Sequence, residues 1–154
     1  MILLVHLLFG AAIGSAIKNI PLTLILAFLS HYLLDVLPHI EYNIENIREK
    51  QWRQAMPDIL RVTLDFCLGI LLISLFSNPS TGSGQLIIYI CAFLAILPDG
   101  FTVLNYLAPN KILKIHNKLH EKIHFLKDKK ISNFWRIFSQ VAVVIISIIL
   151  LIKY

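Results

Sequence analysis

Pro21-Leu22-Thr23-Leu24-Ile25-Leu26-Ala27-Phe28-Leu29-Ser30-His31-Tyr32-Leu33-Leu34-Asp35-Val36-Leu37-Pro38-His39 holds the pattern that decides how this chain is read. Its apolar run from Pro21 to Leu37 is long enough to approach spanning a bilayer. His31, Asp35 and His39 follow one another at four-residue intervals, which stacks them along one face of a helix. Imidazole and carboxylate groups in or beside lipid are costly to place and usually functional. Two imidazoles and a carboxylate also match the donors that zinc and related first-row metals prefer. Pro38 disfavours regular helix at Leu37, so His39 is expected to swing off the ideal row. The plainer reading is a set of polar residues marking where the helix leaves the membrane. Asp35 weighs against it, because a carboxylate after so apolar a stretch needs a partner. The first expectation is therefore a metal site on His31, Asp35 and His39.

The composition sets the solvent. Of 154 residues, 57% are hydrophobic and 15% charged, and the mean hydropathy is +0.74. One domain of this size cannot bury that much apolar surface in its own core, so lipid is the expected surroundings. The formal net charge is +5. The positive excess gathers between Lys111 and Arg136, which points to membrane topology rather than nucleic-acid binding. Cys67 and Cys91 lie in apolar runs and read as buried small hydrophobes, with no CxxC pair or disulfide framework. Residues Ile2 to Ala16 resemble a signal-peptide core, but a basic n-region is missing and a second apolar segment follows at once. They are read as a retained helix.

Five apolar segments are expected: 2–17, 21–37, 58–76, 85–107 (with Pro98 inside it) and 134–152. Together they predict an all-α, integral membrane bundle forming a single domain over 1–154. Asn78-Pro79-Ser80-Thr81-Gly82-Ser83-Gly84 reads as a turn. Between 107 and 136 lie eight Lys or Arg against Glu121 and Asp128, while the turn carries no charge. The positive-inside rule then makes the basic segment cytoplasmic. Threading back through single spans puts the 38–57 loop on the same side. His6, His31, Asp35, His39, Arg61, Asp65, Asp99 and the later histidines would all sit at that face. A faint echo links Ala27-Phe28-Leu29 and Leu37-Pro38-His39 with Ala92-Phe93-Leu94 and Leu97-Pro98-Asp99, suggesting two helices that each end at a proline followed by a ligand.

His116, His120 and His124 repeat the four-residue spacing on a segment, about 110–127, with its own periodicity. Ile112, Ile115, Leu119, Ile123 and Leu126 make an apolar stripe, and Lys111, Lys114, Lys118 and Lys122 surround the other side. This predicts an amphipathic interfacial helix whose histidine row borders the stripe and can face the bundle. Its plainer reading is a basic helix resting on anionic lipid. Asp99 is expected either to ligate or to cap the following turn. Asp65, four residues after Arg61, is expected as a general base with Arg61 as an anion clamp, or else the two form a simple ion pair. His6 is the weakest candidate ligand. No phosphate loop, GxSxG or HExxH motif is present.

The stretches His6-Leu7-Leu8-Phe9-Gly10-Ala11-Ala12-Ile13-Gly14 and Phe28 to His39, with Ile96-Leu97-Pro98-Asp99 and the later histidines, resemble a family of small bacterial membrane-bound metal-dependent hydrolases. This is the domain of unknown function 457 group. The resemblance implies an all-helical membrane protein with a divalent-metal hydrolase site, and more distantly the phosphoester chemistry of zinc-dependent phospholipase C and P1 nuclease. Gly100-Phe101 departs from it, standing where many relatives carry a second acidic residue.

The expected function is a hydrolase at the cytoplasmic face of the inner membrane. Zinc is the expected metal, with manganese or magnesium as alternatives, and a lipid-derived phosphoester the expected substrate. The metal ligands would be His31, Asp35 and His39, with Asp99, His116, His120, His124 and His6 completing the site or binding a second ion. Asp65 and Arg61 would be catalytic. The alternative is a non-enzymatic membrane protein that binds or transports divalent metal. The bilayer is the expected partner, and no nucleic acid is.

Overall fold

The computed structural model describes residues 1–42, 44–77, 82–124 and 131–154. Seven helices and no strand occur among them: α1 Leu3–Ala16, α2 Ile20–Asp35, α3 Glu45–Arg48, α4 Trp52–Phe76, α5 Gly82–Leu107, α6 Lys111–Ile123 and α7 Asn133–Lys153. The all-helical class follows from lipid as solvent, since a helix satisfies its own backbone groups.

Three helices are long and apolar enough to cross a membrane: Trp52–Phe76, Gly84–Leu107 within α5, and Asn133–Lys153. The sequence led us to expect five. The helices α1 and α2 have 14 and 16 residues, about 21–24 Å at 1.5 Å per residue, short of a hydrocarbon core of about 30 Å. They form a hairpin through Ile17-Lys18-Asn19. Ile17 closes the first helix and Asn19 starts the second, its Oδ1 accepting from Leu22 N at 3.1 Å, and Pro21 sits in the opening turn where its missing N–H costs nothing.

An apolar helix without a polar face belongs in the interior, and α1 is such a helix. Val5, Leu7, Leu8, Ala11 and Ala12 are fully buried, and α1 packs on α5, α7, α2 and α4. Its contact with α5 depends on Gly10 and Gly14. A Cβ on Gly10 would lie 2.5 Å from Ala95 Cβ and 2.6 Å from the Cys91 carbonyl oxygen, and one on Gly14 would lie 2.9 Å from Ile88 Cα. Small residues four apart let two helix backbones approach closely, the usual packing device where lipid offers no hydrophobic drive.

Several boundaries differ from expectation. Helix α4 begins at Trp52 rather than 58, and Pro57 lies inside it. Near the N-terminus the ring removes one bond without ending the helix. Helix α5 runs through Pro98 to Leu107, in keeping with the expected segment 85–107 and against the stop at Pro98 that the echo with Pro38 suggested. Gly82, Ser83 and Gly84 belong to its first turn rather than to a loop, and the rest of the expected turn, 78–81, lies outside the described residues. Residues 125–130, with Leu126 and part of the basic segment, also lie outside them. Cys91 is buried, as expected, whereas Cys67 is exposed.

The outer surface is strongly apolar. Leu60, Leu64, Leu71, Leu75, Leu86, Phe93, Ile145, Ile149 and Ile152 are all exposed, a surface far beyond what a water-soluble monomer tolerates. The chain is a membrane protein by this measure.

Gly10→Leu is expected to destabilise the bundle by about 1–3 kcal/mol or to prevent its assembly, because the backbones cannot separate without losing their contact. Gly100→Ala, where a Cβ meets nothing within 4 Å, is expected to be neutral or slightly stabilising. Thermal unfolding in detergent compares the two.

Candidate metal centre

Asp35, the last residue of α2, is fully buried at the side chain and gathers the other polar groups around it. Its Oδ2 lies 3.0 Å from His31 Nε2, 3.1 Å from His120 Nε2 and 3.2 Å from His124 Nε2. Its Oδ1 lies 3.3 Å from His6 Nε2, 4.0 Å from His39 Nε2 and 3.0 Å from the Met1 amino nitrogen. Asp99 Oδ1 stands 3.6 Å from His31 Nε2 and 3.7 Å from His120 Nε2. Five imidazoles thus turn the same nitrogen toward one carboxylate.

Neighbouring backbone decides which nitrogen that is. His31 Nδ1 lies 2.8 Å from the Ala95 carbonyl. A carbonyl only accepts, so Nδ1 carries the proton and Nε2 of the neutral ring is a bare lone pair. His120 Nδ1 lies 3.2 Å from Thr102 Oγ1, which donates to the Pro98 carbonyl at 3.3 Å. His39 Nδ1 donates to the Leu37 carbonyl at 2.6 Å. An outer partner that fixes the tautomer and aims the ring is the usual arrangement of ligating histidines.

The geometry has a specific chemical meaning. His31 Nε2 and His120 Nε2 are 3.0 Å apart, and two lone pairs at that distance repel unless a cation lies between them. Ligands at 2.0–2.1 Å from a tetrahedral zinc are separated by roughly 3.3 Å. The 3.0–3.2 Å spacing of His31, Asp35 and His120 is close to that value. His6 adds a partly orphaned group: it is fully buried, its Nε2 has Asp35 Oδ1 at 3.3 Å, and its Nδ1 has no hydrogen-bond partner among the described residues. Buried polar atoms without partners are rare and call for a ligand. Among the described residues, three sets of ligand atoms are close enough to hold an ion: His31, Asp35 and His120; His6, His31 and Asp99; and Asp35, His39 and His124. The donor set fits a divalent metal.

The amphipathic helix α6 is capped by Asn110, whose Oδ1 accepts from Leu113 N at 2.8 Å. Its histidine row faces the bundle, while Ile112, Ile115 and Leu119 point outward at 78%, 61% and 53% exposure. His120 and His124 reach Asp35. Burial opposes the charge on His124, yet the Asp35 and Glu41 carboxylates outweigh it and push its pKa up to about 9. His116 is not in any of the three ligand sets. Its Nε2 lies 3.0 Å from the Tyr32 hydroxyl and its ring meets the edge of Phe101. Burial, then the positive character of His120 and His31, lowers its pKa.

Asp65 and Arg61 are also outside the ligand sets. Asp65 Oδ2 accepts from Leu4 N at 2.8 Å, and the Tyr42 hydroxyl donates to the same carboxylate. Ile2, at the N-cap of α1, has no side chain able to cap, so Asp65 supplies that bond from α4. Burial and Asp65 together raise the Tyr42 pKa. Arg61 pairs with Asp58 at 3.6 Å rather than with Asp65, and its side chain is 66% exposed.

Sequence reasoning passed over Glu41, whose Oε1 lies 3.1 Å from His39 Nε2 and 2.9 Å from His124 Nδ1. The signal was its place two residues after His39, beyond the proline that breaks the helical register. It also passed over the fastening of this segment by α7. Gln140 Nε2 donates to the Ile40 carbonyl at 2.8 Å, Arg136 Nη1 to the His39 carbonyl at 3.2 Å, and Ser139 Oγ to the Pro38 carbonyl. Those carbonyls belong to the irregular segment after α2, which has no helix of its own to satisfy them.

Comparison of the chain with known protein families, with curated proteins and with solved structures yields no match in any of the three.

Asp65→Ala is expected to cost about 1–2 kcal/mol of stability through loss of the α1 cap and to leave bound metal unchanged. Thermal unfolding paired with metal analysis separates this capping role from a role in the centre.

Proposed function

We propose that this chain is a membrane-embedded, divalent-metal-dependent hydrolase whose ion sits on His31, Asp35 and His120, with Asp99 at its open edge. The single observation that carries the reading is the convergence of bare imidazole nitrogens on a buried carboxylate, with the tautomer of His31 set by the Ala95 carbonyl. The donor set favours zinc over magnesium, because imidazole suits zinc and magnesium favours oxygen ligands. The resemblance of the His31 to His39 stretch to the membrane-bound hydrolase group supports the same class.

Once bound, a divalent ion lowers the pKa of a water toward neutrality and polarises a phosphoryl or acyl oxygen. The chain's own residues do the rest. His31 and His120 hold their lone pairs in place through Ala95 and Thr102. Asp35 replaces the hydration that both imidazoles lose on burial. Asp99, 33% exposed, borders solvent and is placed to accept a proton from an attacking water. Asp65, already accepting from Leu4 and Tyr42, serves the fold.

A phosphoester derived from lipid fits a centre next to an apolar surface, and Lys111, Lys114 and Lys118 on α6 offer charge for an anionic head group. The concentration of Lys on α6 favours the cytoplasmic side of an inner membrane.

Purified protein is expected to carry zinc, and His31→Ala and Asp35→Ala are each expected to lose it by elemental analysis. Unchanged metal in both variants would overturn the reading. With metal confirmed, hydrolysis of a panel of phosphodiesters and lipids that disappears in the same variants supports the enzyme. Metal flux in proteoliposomes without hydrolysis would instead identify a metal-transporting protein.

A further inference from the structure

Helix α6 carries three kinds of side chain, and the structure gives each its own side. On a helix of about 3.6 residues per turn, His116, His120 and His124 stand nearly opposite Lys111, Lys114, Lys118 and Lys122. Ile112, Ile115 and Leu119 fall between the two rows. The histidine side meets the bundle, where His120 and Leu113 are the buried residues of α6. Ile112, Ile115 and Leu119 are exposed, and so are the four lysines. None of those lysines is ion-paired among the described residues. Glu121, the single acid of α6, is engaged by Asn117 Nδ2 at 2.8 Å. An apolar stripe beside a row of unneutralised cations is the surface of a helix that lies at a lipid interface. With so little of α6 buried, most of its surface is left to the bilayer.

We propose that the outer face of α6 binds one anionic phospholipid that is not the substrate. Lys111, Lys114 and Lys118, with Ile115, Asn110 and Pro109, line an open hollow of about 460 Å³, a size that accepts a small head group. Its charge is complementary to a lipid phosphate, and no acid in the lining opposes it. Ile112, Ile115 and Leu119 give the acyl chains an apolar flank beside the hollow. A zwitterionic head group brings its own cation and gains less from the lysines. These lysines are turned away from His120 and Asp35, so a lipid held by them has its ester on the far side of α6 from the centre. Such a lipid acts as a strut. It keeps α6 against the bundle, and with it His120 and His124, which reach Asp35. A ligand that binds only the assembled form stabilises that form. The site stands whether or not the centre holds an ion.

Thermal unfolding in a zwitterionic detergent tests this, with phosphatidylglycerol, phosphatidylcholine and inorganic phosphate as probes. Phosphatidylglycerol at about tenfold excess over its dissociation constant is expected to raise the unfolding temperature by about 3–6 °C. Native mass spectrometry is expected to retain one such lipid per chain. Phosphatidylcholine and inorganic phosphate are expected to leave the temperature nearly unchanged. The triple variant Lys111→Gln, Lys114→Gln, Lys118→Gln is expected to lose the shift, and Lys114→Glu alone to lose most of it. All three positions are exposed, so both variants are expected to unfold in detergent alone where the unaltered protein does. Should the triple variant be less stable, Lys114→Glu carries the comparison. Lys153→Gln removes a charge at the far end of α7 and is expected to keep the full shift. Equal shifts from the two lipids, a shift reproduced by phosphate alone, or a full shift in the lysine variants overturns the site.

Discussion

An ionised carboxylate kept from water costs several kcal/mol unless other groups replace its hydration, and Asp35 is such a carboxylate. It terminates an apolar helix, where no lone acid would be tolerated, and the bundle surrounds it with five imidazoles, from α1, from α2 itself, from the segment after it and from α6. These contacts explain otherwise unrelated features. The Ala95 carbonyl of α5 fixes the His31 ring, α6 turns its histidines inward while its isoleucines face out, and α7 holds the segment beyond Pro38. Each supplies or aims a group that makes the burial of Asp35 bearable.

The helical class, the apolar surface and the principal site residues were legible in the sequence because each rests on local periodicity. Four-residue spacing placed His31 and Asp35 on one face and paired His120 with His124. What periodicity could not supply was tertiary direction. His116 shares the spacing of its row, yet one turn earlier along α6 the nearest group is the Tyr32 hydroxyl. Arg61 and Asp65 have the spacing of an ion pair, but the N-terminus of α1 competes for Asp65 and Asp58 takes Arg61.

Length was the other weakness. Hydropathy makes α1 look like a span, because it cannot tell lipid from a close-packed protein interior, while α2, apolar and exposed along one face, is only too short. The small residues Gly10 and Gly14 mark the difference: they bring α1 against α5 and leave it little contact with anything outside. Pro98 was legible in two ways, inside the segment 85–107 and as a stop like Pro38, and the helix runs through it. A proline inside a helix removes one backbone bond, here the one to the Leu94 carbonyl, and that single loss does not end α5. Glu41 escaped notice because the loop after Pro38 has no period to read.

The groups of the cluster come from α1, α2, the segment after it, α5 and α6, and Asp35 meets His120 across 85 residues of sequence. This separation has a consequence for biogenesis. As the chain emerges from the ribosome, the first hairpin presents His6, His31 and Asp35 long before their partners exist, so an acid designed for company enters the membrane alone. Until α5 and α6 arrive, that hairpin is poorly suited to a settled place in the bilayer, which makes closure around Asp35 a late event. The centre then works as a clasp, joining the earliest part of the chain to one of the last.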